Sequence, residues 1–564
     1  MRPVDWAVLL GTIAAIVIYG TWKERGVNTS EAYLRGGSDL KWYTIGLSIM
    51  ATQASAITFL SLPGQAYEDG MGFLQFYFGL PIAMVILSAL IVPIYYRLKV
   101  YTAYEYLEGR FDRKTRQLTA LLFLLSRGLA AGISIYAPSI VLSTVLGWPL
   151  QLTNLIIGGV VVLYTVSGGT RVVSRTQTYQ MIVMLGGMAA AAVFIWSQLP
   201  RDLSLGHAVR LAGTLGKMKI VDYSVRADTR YTLWSGLTGG LFVALAYFGT
   251  DQSQVQRYLS GASLAESRIG LLMNGLVKIP MQFLILFVGV MLFVFYQFNK
   301  PPVFFNVPEW QKAHATARAG EVRTLDAEWD AVFAAKRGRV DALVTALDRG
   351  DPAATARAQT DLRAAAARSD TVRRRAKKLL ASARPGVELK DADYIFIGFV
   401  LAHFPAGLLG LLIAVILCAS MSATASALSA LGSTTVVDLY RPTFRPEASD
   451  HHYLVAGRWF TVLWGALAVS FAAFAALLDN LIQAVNILGS LFYGPMLGVF
   501  LVGFFIRRVR GSAVFWAALL AEALVIAVFA LTSIGFLWYN VIGCGAVVGL
   551  ASLFQLLAAA PKKL

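Results

Sequence analysis

A row of hydroxyl side chains lies in a stretch of the chain that is otherwise apolar. The stretch, LCASMSATASALSALGSTTVVDLY (417–440), follows the apolar run GLLGLLIAVI. Ser422, Ser426, Ser429 and Ser433 share one face of a helix, because their spacing follows the helical repeat. Uncharged hydroxyl and carbonyl oxygens suit a hard monovalent cation that must bind and then leave. The pattern predicts a helix that lines an ion path, although such small residues also let helices pack closely.

The elements that carry such a path are membrane-spanning helices. The mean hydropathy is +0.61, and 14% of the 564 residues are charged. A soluble chain of this length would need more polar residues to cover its surface. Apolar runs of about twenty residues recur along the chain and predict an all-α, polytopic membrane protein with about thirteen transmembrane helices. The net charge of +17 does not indicate nucleic-acid binding, because Lys and Arg fall mostly in short loops and one insertion.

The distribution of basic loops predicts the orientation of the chain. Most Lys- and Arg-rich loops fall on one side, which we take as cytoplasmic, so the N-terminus is outside and the C-terminus inside. We expect a multi-pass protein of the cell membrane, as in a bacterial inner membrane. The spans that matter below are predicted at Leu150–Val166, Thr178–Trp196, Tyr231–Thr250 and Tyr394–Val437.

A polar insertion at residues 300–392 separates two membrane parts, residues 1–299 and 393–564. The insertion is rich in Ala and Arg, and the sequence RGDP (349–352) interrupts its good helix formers. It therefore predicts a charged helical hairpin on the extracytoplasmic side, where it could meet a partner. Acidic residues interleave with the basic ones, which argues against a nucleic-acid-binding arm.

Two further polar spots lie inside predicted spans. The second span carries a central cluster, Thr52, Gln53, Ser55 and Thr58. The seventh span is loosened by glycines and ends at Gly249-Thr250-Asp251. These two spans lie five apart, which a five-plus-five inverted repeat with broken first helices requires; coincidence is the alternative.

Several motifs together resemble the sodium:solute symporter family. They are ATQASAITFLSLPGQAYEDG (51–70), YTVSGGTRVV (164–173), YFGTDQSQVQRYL (247–259) and the hydroxyl-rich stretch above. The resemblance covers nearly all of the chain outside the insertion and looks closest to the iodide, multivitamin and monocarboxylate branch. It implies the leucine-transporter-like inverted-repeat fold.

The resemblance also implies a sodium site between the second and ninth spans. Its ligands in the family match the backbone carbonyls of Ala51, Ala54 and Ala419 and the hydroxyl of Ser422. A second family hydroxyl falls on Ala423, so this chain lacks that ligand. Many members carry an acid where this chain has Gln177, and some also carry one where it has Gln53. These changes put the sodium coupling in question.

The solute site is expected between the broken helices and the eighth and eleventh spans. The candidate substrate-binding residues are Gln53, Ser55, Thr58, Tyr247, Lys278, Gln483 and Asn486. A buried Lys278 facing the cavity fits an anionic substrate. Alternatively, Lys278 snorkels to the cytoplasmic interface.

These features predict a secondary active transporter with alternating access, in which sodium drives the symport of a small polar solute or organic anion. No organic cofactor is expected, and sodium is the coupling ion. A membrane-embedded solute sensor and an ion-independent or proton-coupled transporter of the same fold stay open. The spans contain no paired acids, His/Cys cluster or nucleophile motif, so we do not expect an enzyme.

Overall fold

The computed structural model describes residues 1–23, 29–387, 389–474 and 481–559, and these residues form helices joined by short connections. In this part of the chain the only β contact is an isolated bridge between Leu40 and Gly261, which confirms the all-α class. Nine helical stretches within it are long and apolar enough to cross a membrane, or ten if one bent pair counts as a span. The thirteen spans and the sidedness of the termini stay predictions.

The helices before the insertion are, in chain order, α1 (Pro3–Lys23), α2 (Ser30–Leu34), α3 (Trp42–Gln53), α4 (Ala56–Asp69), α5 (Leu80–Ile86), α6 (Val92–Leu98), α7 (Glu105–Arg110), α8 (Arg113–Leu146), α9 (Leu150–Ser197), α10 (Leu205–Thr214), α11 (Leu233–Leu237), α12 (Gly239–Gly249), α13 (Gln252–Leu259) and α14 (Leu264–Phe298). A 3₁₀ segment, Gly70–Tyr77, follows α4, and a π segment, Leu87–Ile91, joins α5 to α6.

The insertion and the second membrane part add ten helices among the described residues. They are α15 (Val307–Ala313), α16 (Ala319–Asp348), α17 (Pro352–Ala383), α18 (Ala392–His403), α19 (Leu408–Thr434), α20 (Arg441–Thr443), α21 (Asp450–Phe474), α22 (Leu481–Phe505), α23 (Gly511–Leu531) and α24 (Leu537–Ala559). A π segment, Thr435–Tyr440, extends α19. The hydroxyl-rich α19 lies at the centre of the bundle and contacts α1, α3, α4, α8, α9, α13 and α21.

Both helices that were predicted to break are broken. In the first, α3 ends at Gln53 and α4 begins at Ala56. In the second, α12 and α13 meet at a bend of 60° after Gly249. The first interruption therefore lies at the polar cluster inside the predicted second span, whereas the second lies at the predicted end of the seventh span.

Two predicted loops are helical instead. The spans predicted at Leu150–Val166 and Thr178–Trp196 both belong to α9, whose helical path is interrupted at Gly169 (φ 56°, ψ −156°). The span predicted to end at Thr250 is followed at once by α13. Arginines suggested loops here, yet the Arg257 guanidinium is fully buried and donates to Ser174 Oγ at 2.5 Å.

The predicted single helix Tyr394–Val437 is also wrong, because α18 and α19 are separate. Pro405 and Gly407 lie between them, and Gly407 adopts a positive φ of 87°. The freed backbone N–H of Gly407 donates to Asp5 Oδ1 at 2.7 Å, so the start of α1 stabilises the break.

The insertion forms a helical hairpin, in which α16 and α17 pack along each other. The turn contains Gly350 (φ 63°), and Asp351 Oδ1 accepts hydrogen bonds from the N–H groups of Ala353 and Ala354. This is why RGDP ends one helix and begins the next.

The hairpin is tied to the end of α4. Arg373 pairs with Glu68 at 3.2 Å and with Asp391 at 2.9 Å, and Lys377 pairs with Asp391 at 2.7 Å. Burial raises the pKa of Asp391, but these two cations outweigh burial and hold that pKa below its usual value. We call this face of the molecule the insertion side.

Close backbone packing joins α4 to α18, and it predicts a large effect of one methyl group. A Cβ on Gly64 would lie 2.0 Å from the carbonyl oxygen of Ala392, so Gly64→Ala is expected to cost about 1–3 kcal/mol of stability. The thermal unfolding midpoint of the purified protein in detergent measures this loss. Gly398→Ala in α18 is the matched control, since a Cβ there meets no atom within 4 Å. Equal midpoints for the two variants would contradict the packing argument.

Candidate cation and solute sites

The break between α3 and α4 exposes a backbone carbonyl to α19. The N–H of Ser55 donates to Gln53 O at 3.1 Å instead of to Ala51 O, four residues earlier. Ala51 O accepts a hydrogen bond from Ser422 Oγ at 2.9 Å. The first broken helix and the hydroxyl row of α19 therefore meet at one point.

The five residues proposed for sodium are all buried around this point or beside it: Ala51, Ala54, Ala419, Ser422 and Ala423. The structure joins Ala51 and Ser422 directly. Their roles as ligands stay predictions. The methyl group of Ala423 cannot replace a hydroxyl, but the adjacent Thr424 Oγ1 is buried without a hydrogen-bond partner among the described residues.

Gln177 links the helices around the break. Its Nε2 lies 3.1 Å from Thr52 Oγ1, 3.0 Å from Ser422 Oγ and 2.6 Å from Ser426 Oγ. Its Oε1 accepts a hydrogen bond from Ser48 Oγ. The neutral side-chain amide of Gln177 therefore provides hydrogen-bond partners for several hydroxyls that converge at the break.

The other two serines of the predicted stripe, Ser429 and Ser433, have different kinds of hydrogen-bond partner. Ser429 Oγ lies 2.6 Å from Thr170 Oγ1 on α9, whereas Ser433 Oγ donates to Ala430 O within its own helix. Every residue of the stripe is buried in the protein. The stripe therefore faces neighbouring helices, and Ser422 and Ser426 reach the break.

A cavity of about 100 Å³ adjoins the break. Five of the seven predicted substrate residues line it, namely Gln53, Ser55, Thr58, Tyr247 and Asn486. Gln53 Oε1 and Asn486 Nδ2 have no hydrogen-bond partner in the described part of the chain. One acceptor and one donor are thus available to a solute.

Lys278 and Gln483 lie outside the cavity lining. Lys278 in α14 is fully buried, so it does not snorkel to an interface, and its Nζ makes no hydrogen bond to the described residues. Nζ lies 5.9 Å from the ring centre of Tyr77, which lines the cavity. Gln483 Oε1 accepts a hydrogen bond from Arg230 at 2.7 Å.

An ion pair that sequence reasoning left out of the site closes one end of the cavity. Arg127, a lining residue, pairs with Asp251 at the second break. Tyr493 Oη donates to Asp251 Oδ2 at 3.1 Å and accepts from Arg127 at 3.0 Å. The Arg127 guanidinium also lies 5.2 Å from the ring centre of Tyr247.

The second break differs chemically from the first, because tyrosines cap its carbonyls. Three hydroxyls donate to three consecutive backbone oxygens: Tyr258 to Phe248 O at 3.0 Å, Tyr95 to Gly249 O at 2.9 Å and Tyr104 to Thr250 O at 2.8 Å. Each of these carbonyls therefore already accepts one hydrogen bond, which leaves a single lone pair for any other partner.

Comparison with known proteins decides the family. A family model described as the sodium:solute symporter family matches residues 33–323 and 378–521. The chain belongs to the sodium:solute symporter family. It is 31% identical over 306 residues to the human (Homo sapiens) sodium/iodide cotransporter, covering 52% of this chain and 46% of that one. It is 26% identical over 502 residues to the mouse (Mus musculus) sodium-coupled monocarboxylate transporter 1, covering 88% and 68%.

A solved structure supports the same fold. The chain matches the substrate-bound, outward-open state of a Na⁺-coupled sialic acid symporter with a TM-score of 0.76, at 22% identity and over 100% of both chains. The predicted leucine-transporter-like fold is confirmed. This chain spans just under half the length of the iodide relative and about two thirds of the monocarboxylate relative.

Family membership also confirms two predictions: the chain is a multi-pass membrane transporter, and it is not an enzyme. The iodide and monocarboxylate relatives belong to the branch that the motifs indicated.

Proposed function

We propose that this chain is a sodium-driven symporter that carries a small anion, such as a carboxylate, by alternating access. The observation that carries the proposal is the hydrogen bond between Ser422 Oγ and the freed carbonyl of Ala51, next to a cavity with unpaired polar atoms. Oxygens around a helix break suit an alkali cation, and the adjoining cavity suits its co-transported solute.

We propose one sodium ion per cycle. The hydrogen-bond partners of Ser422 are neutral, so the site binds weakly and releases its ion readily. Beyond Ser422, Gln177 Nε2 already contacts Thr52 Oγ1 and Ser426 Oγ, and each carbonyl of the second break already has a tyrosine donor. Both features leave fewer free oxygens for a second cation, which favours a single ion.

The preference for an anion rests on Lys278. The Lys278 amine is fully buried without a hydrogen-bond partner among the described residues, and an anionic solute would stabilise its charged form. Nζ lies 5.9 Å from the ring centre of Tyr77, which lines the cavity, so Lys278 lies close to the cavity wall. Gln53 and Asn486 supply hydrogen bonds to the solute.

Localisation and topology complete the proposal. We place the protein in a cell membrane, as in a bacterial inner membrane, with the N-terminus and the insertion side outside and the C-terminus in the cytoplasm. Residues 300–392 form an extracytoplasmic unit between the membrane parts 1–299 and 393–564. A partner for the hairpin stays a prediction.

The deciding experiment measures uptake of labelled small anions into proteoliposomes with an imposed sodium gradient. Accumulation that collapses with the gradient, and that depends hyperbolically on sodium, is the expected result. Binding without accumulation would indicate a sensor instead. Accumulation under a proton gradient alone would indicate proton coupling.

Ser422→Ala is expected to raise the sodium concentration for half-maximal uptake by about tenfold, because it removes one of the few ligands of a neutral site. Uptake at a series of sodium concentrations measures the change. Ser433→Ala is the matched control, since that hydroxyl lies on the same helix and donates only to Ala430 O, at 3.1 Å. The same sodium dependence in both variants would remove Ser422 from the site.

A further inference from the structure

A line of polar side chains runs along α4 from the cavity to the insertion side. Thr58 lines the cavity, Ser61, Gln65 and Glu68 follow at helical spacing, and Glu68 contacts the hairpin. At the helical rise, Ser61 and Gln65 lie about 4.5 Å and about 10 Å from Thr58 along the axis. The line therefore spans the distance between the surface and the solute site.

Three oxygens in the middle of this line have no hydrogen-bond partner in the described part of the chain. They are Ser61 Oγ, Gln65 Oε1 and Asp393 Oδ1, on residues that are 0%, 3% and 6% exposed. Buried oxygens are almost always satisfied, so a group of three needs an explanation. The Ser61 hydroxyl lies within reach of the Asp393 carboxylate, and Gln65 lies within reach of the Tyr231 hydroxyl, but neither contact has the geometry of a full hydrogen bond.

The packing of α18 against α4 holds Asp393 in this position. The close approach of Gly64 to the carbonyl of Ala392 brings the first turn of α18 onto the face of α4 that carries Ser61. The backbone N–H of Leu481 donates to the Asp393 carboxylate. This contact orients the carboxylate, whose Oδ1 has no partner of full hydrogen-bond geometry among the described residues.

Asp393 forms no ion pair with the described residues. Two charged groups act on it electrostatically, Glu68 and Lys390, and their signs are opposite. A buried carboxylate without a cation is costly, and a hydroxyl with an amide oxygen next to it completes a set of hard ligands. A single carboxylate suits a monovalent cation that must move on.

We propose that Asp393, Ser61 and Gln65 form an entry site for a monovalent cation, sodium above all, between the insertion side and the cavity. An ion held there lies on the same helix as the break at Ala54 and Ser55. This site is separate from the one proposed at Ala51 and Ser422. It raises the local concentration of the cation at the cavity without being part of the coupling site.

The test compares sodium dependence in the full-length protein. Asp393→Asn is expected to raise the half-saturating sodium concentration of uptake about tenfold, while the maximal rate at saturating sodium stays within about twofold. Ser61→Ala is expected to raise it about threefold, because it removes a neutral ligand. Binding of ²²Na⁺ to the purified protein in nanodiscs is measured in parallel and should weaken in the same order.

Glu522→Gln is the matched control. Glu522 in α23 is another buried membrane carboxylate whose two oxygens have no hydrogen-bond partner among the described residues. Its neutralisation should leave the sodium dependence unchanged. A tenfold effect there would show that any lost charge acts in this way, and would overturn the assignment to Asp393.

The remaining outcomes are also decisive. Unchanged sodium dependence in Asp393→Asn and Ser61→Ala, or lower stability with normal sodium dependence, would assign Asp393 a structural role and overturn the proposal. If Asp393→Asn does not fold, the sodium dependence of uptake by Ser61→Ala and Gln65→Leu provides the test instead. If wild-type uptake proves independent of sodium, the proposed function fails, and ²²Na⁺ binding that is weakened by Asp393→Asn still supports the entry site.

Discussion

Replacing Asp251 by alanine is expected to destabilise the protein by about 3–5 kcal/mol, because it leaves the Arg127 guanidinium buried without its counter-charge. Asp251 is fully buried, and the Arg127 side chain is only 11% exposed. The substitution also removes the acceptor for Tyr493 Oη and the cap on the N–H of Ser253. The unfolding midpoint in detergent measures the loss.

Two further variants separate the ion pair from the helix cap. Asp351→Ala removes a carboxylate that likewise caps the start of a helix, but Asp351 is exposed, so only about 1 kcal/mol should be lost. The double variant Arg127→Leu, Asp251→Leu should recover most of the stability, because no charge is left unpaired. A double variant as unstable as Asp251→Ala would show that the charge is not the cause.

Local sequence was sufficient to predict where the helices break. Gly249 followed by Thr250 and Asp251 weakens a helix, and Asp251 favours the start of the next one. The polar cluster around Gln53 and Ser55 indicated the other interruption. Both signals lie within a few residues of the feature that they predict, which is why they were reliable.

Helix ends were predicted poorly where a charged residue has a partner far away in sequence. Arg257 suggested a loop after Thr250, but Ser174 accepts its hydrogen bond, from a helix more than eighty residues earlier. Arg175 suggested a loop as well; it does lie at the surface, where it pairs with Asp39, but the backbone there is helical. A hydropathy profile treats a charged residue such as Arg257 as exposed, because the profile contains no information about partners that are distant in the sequence.

The candidate site could be predicted in part. Residues of the cavity lie on the polar clusters, so Ser55, Thr58 and Asn486 were found. Gln177 was noted only as a departure from the family, because its contacts to Thr52 and Ser426 depend on how three helices meet. Asp393 gave no signal, since its position depends on backbone packing at Gly64.

Replacing Lys278 by methionine is expected to lower uptake of an anionic solute by about tenfold to a hundredfold, while the protein itself becomes more stable. Uptake falls because the solute loses an interaction with a charged group, worth about 1.5–3 kcal/mol. Stability rises because a fully buried, unpaired ammonium is replaced by an apolar side chain of similar length. Initial uptake rates and unfolding midpoints measure the two effects.

The opposite signs of these two effects distinguish a solute-binding role from a structural one. If Lys278 only held α14 in place, its loss would lower stability and uptake together. Lys336→Met in the insertion is the matched control, because that amine is buried as well but lies outside the membrane part; burial lowers the pKa of Lys336 to about 8. Its uptake should stay at the wild-type level. Normal uptake by Lys278→Met would remove the anion from the proposed function and leave only the cation site.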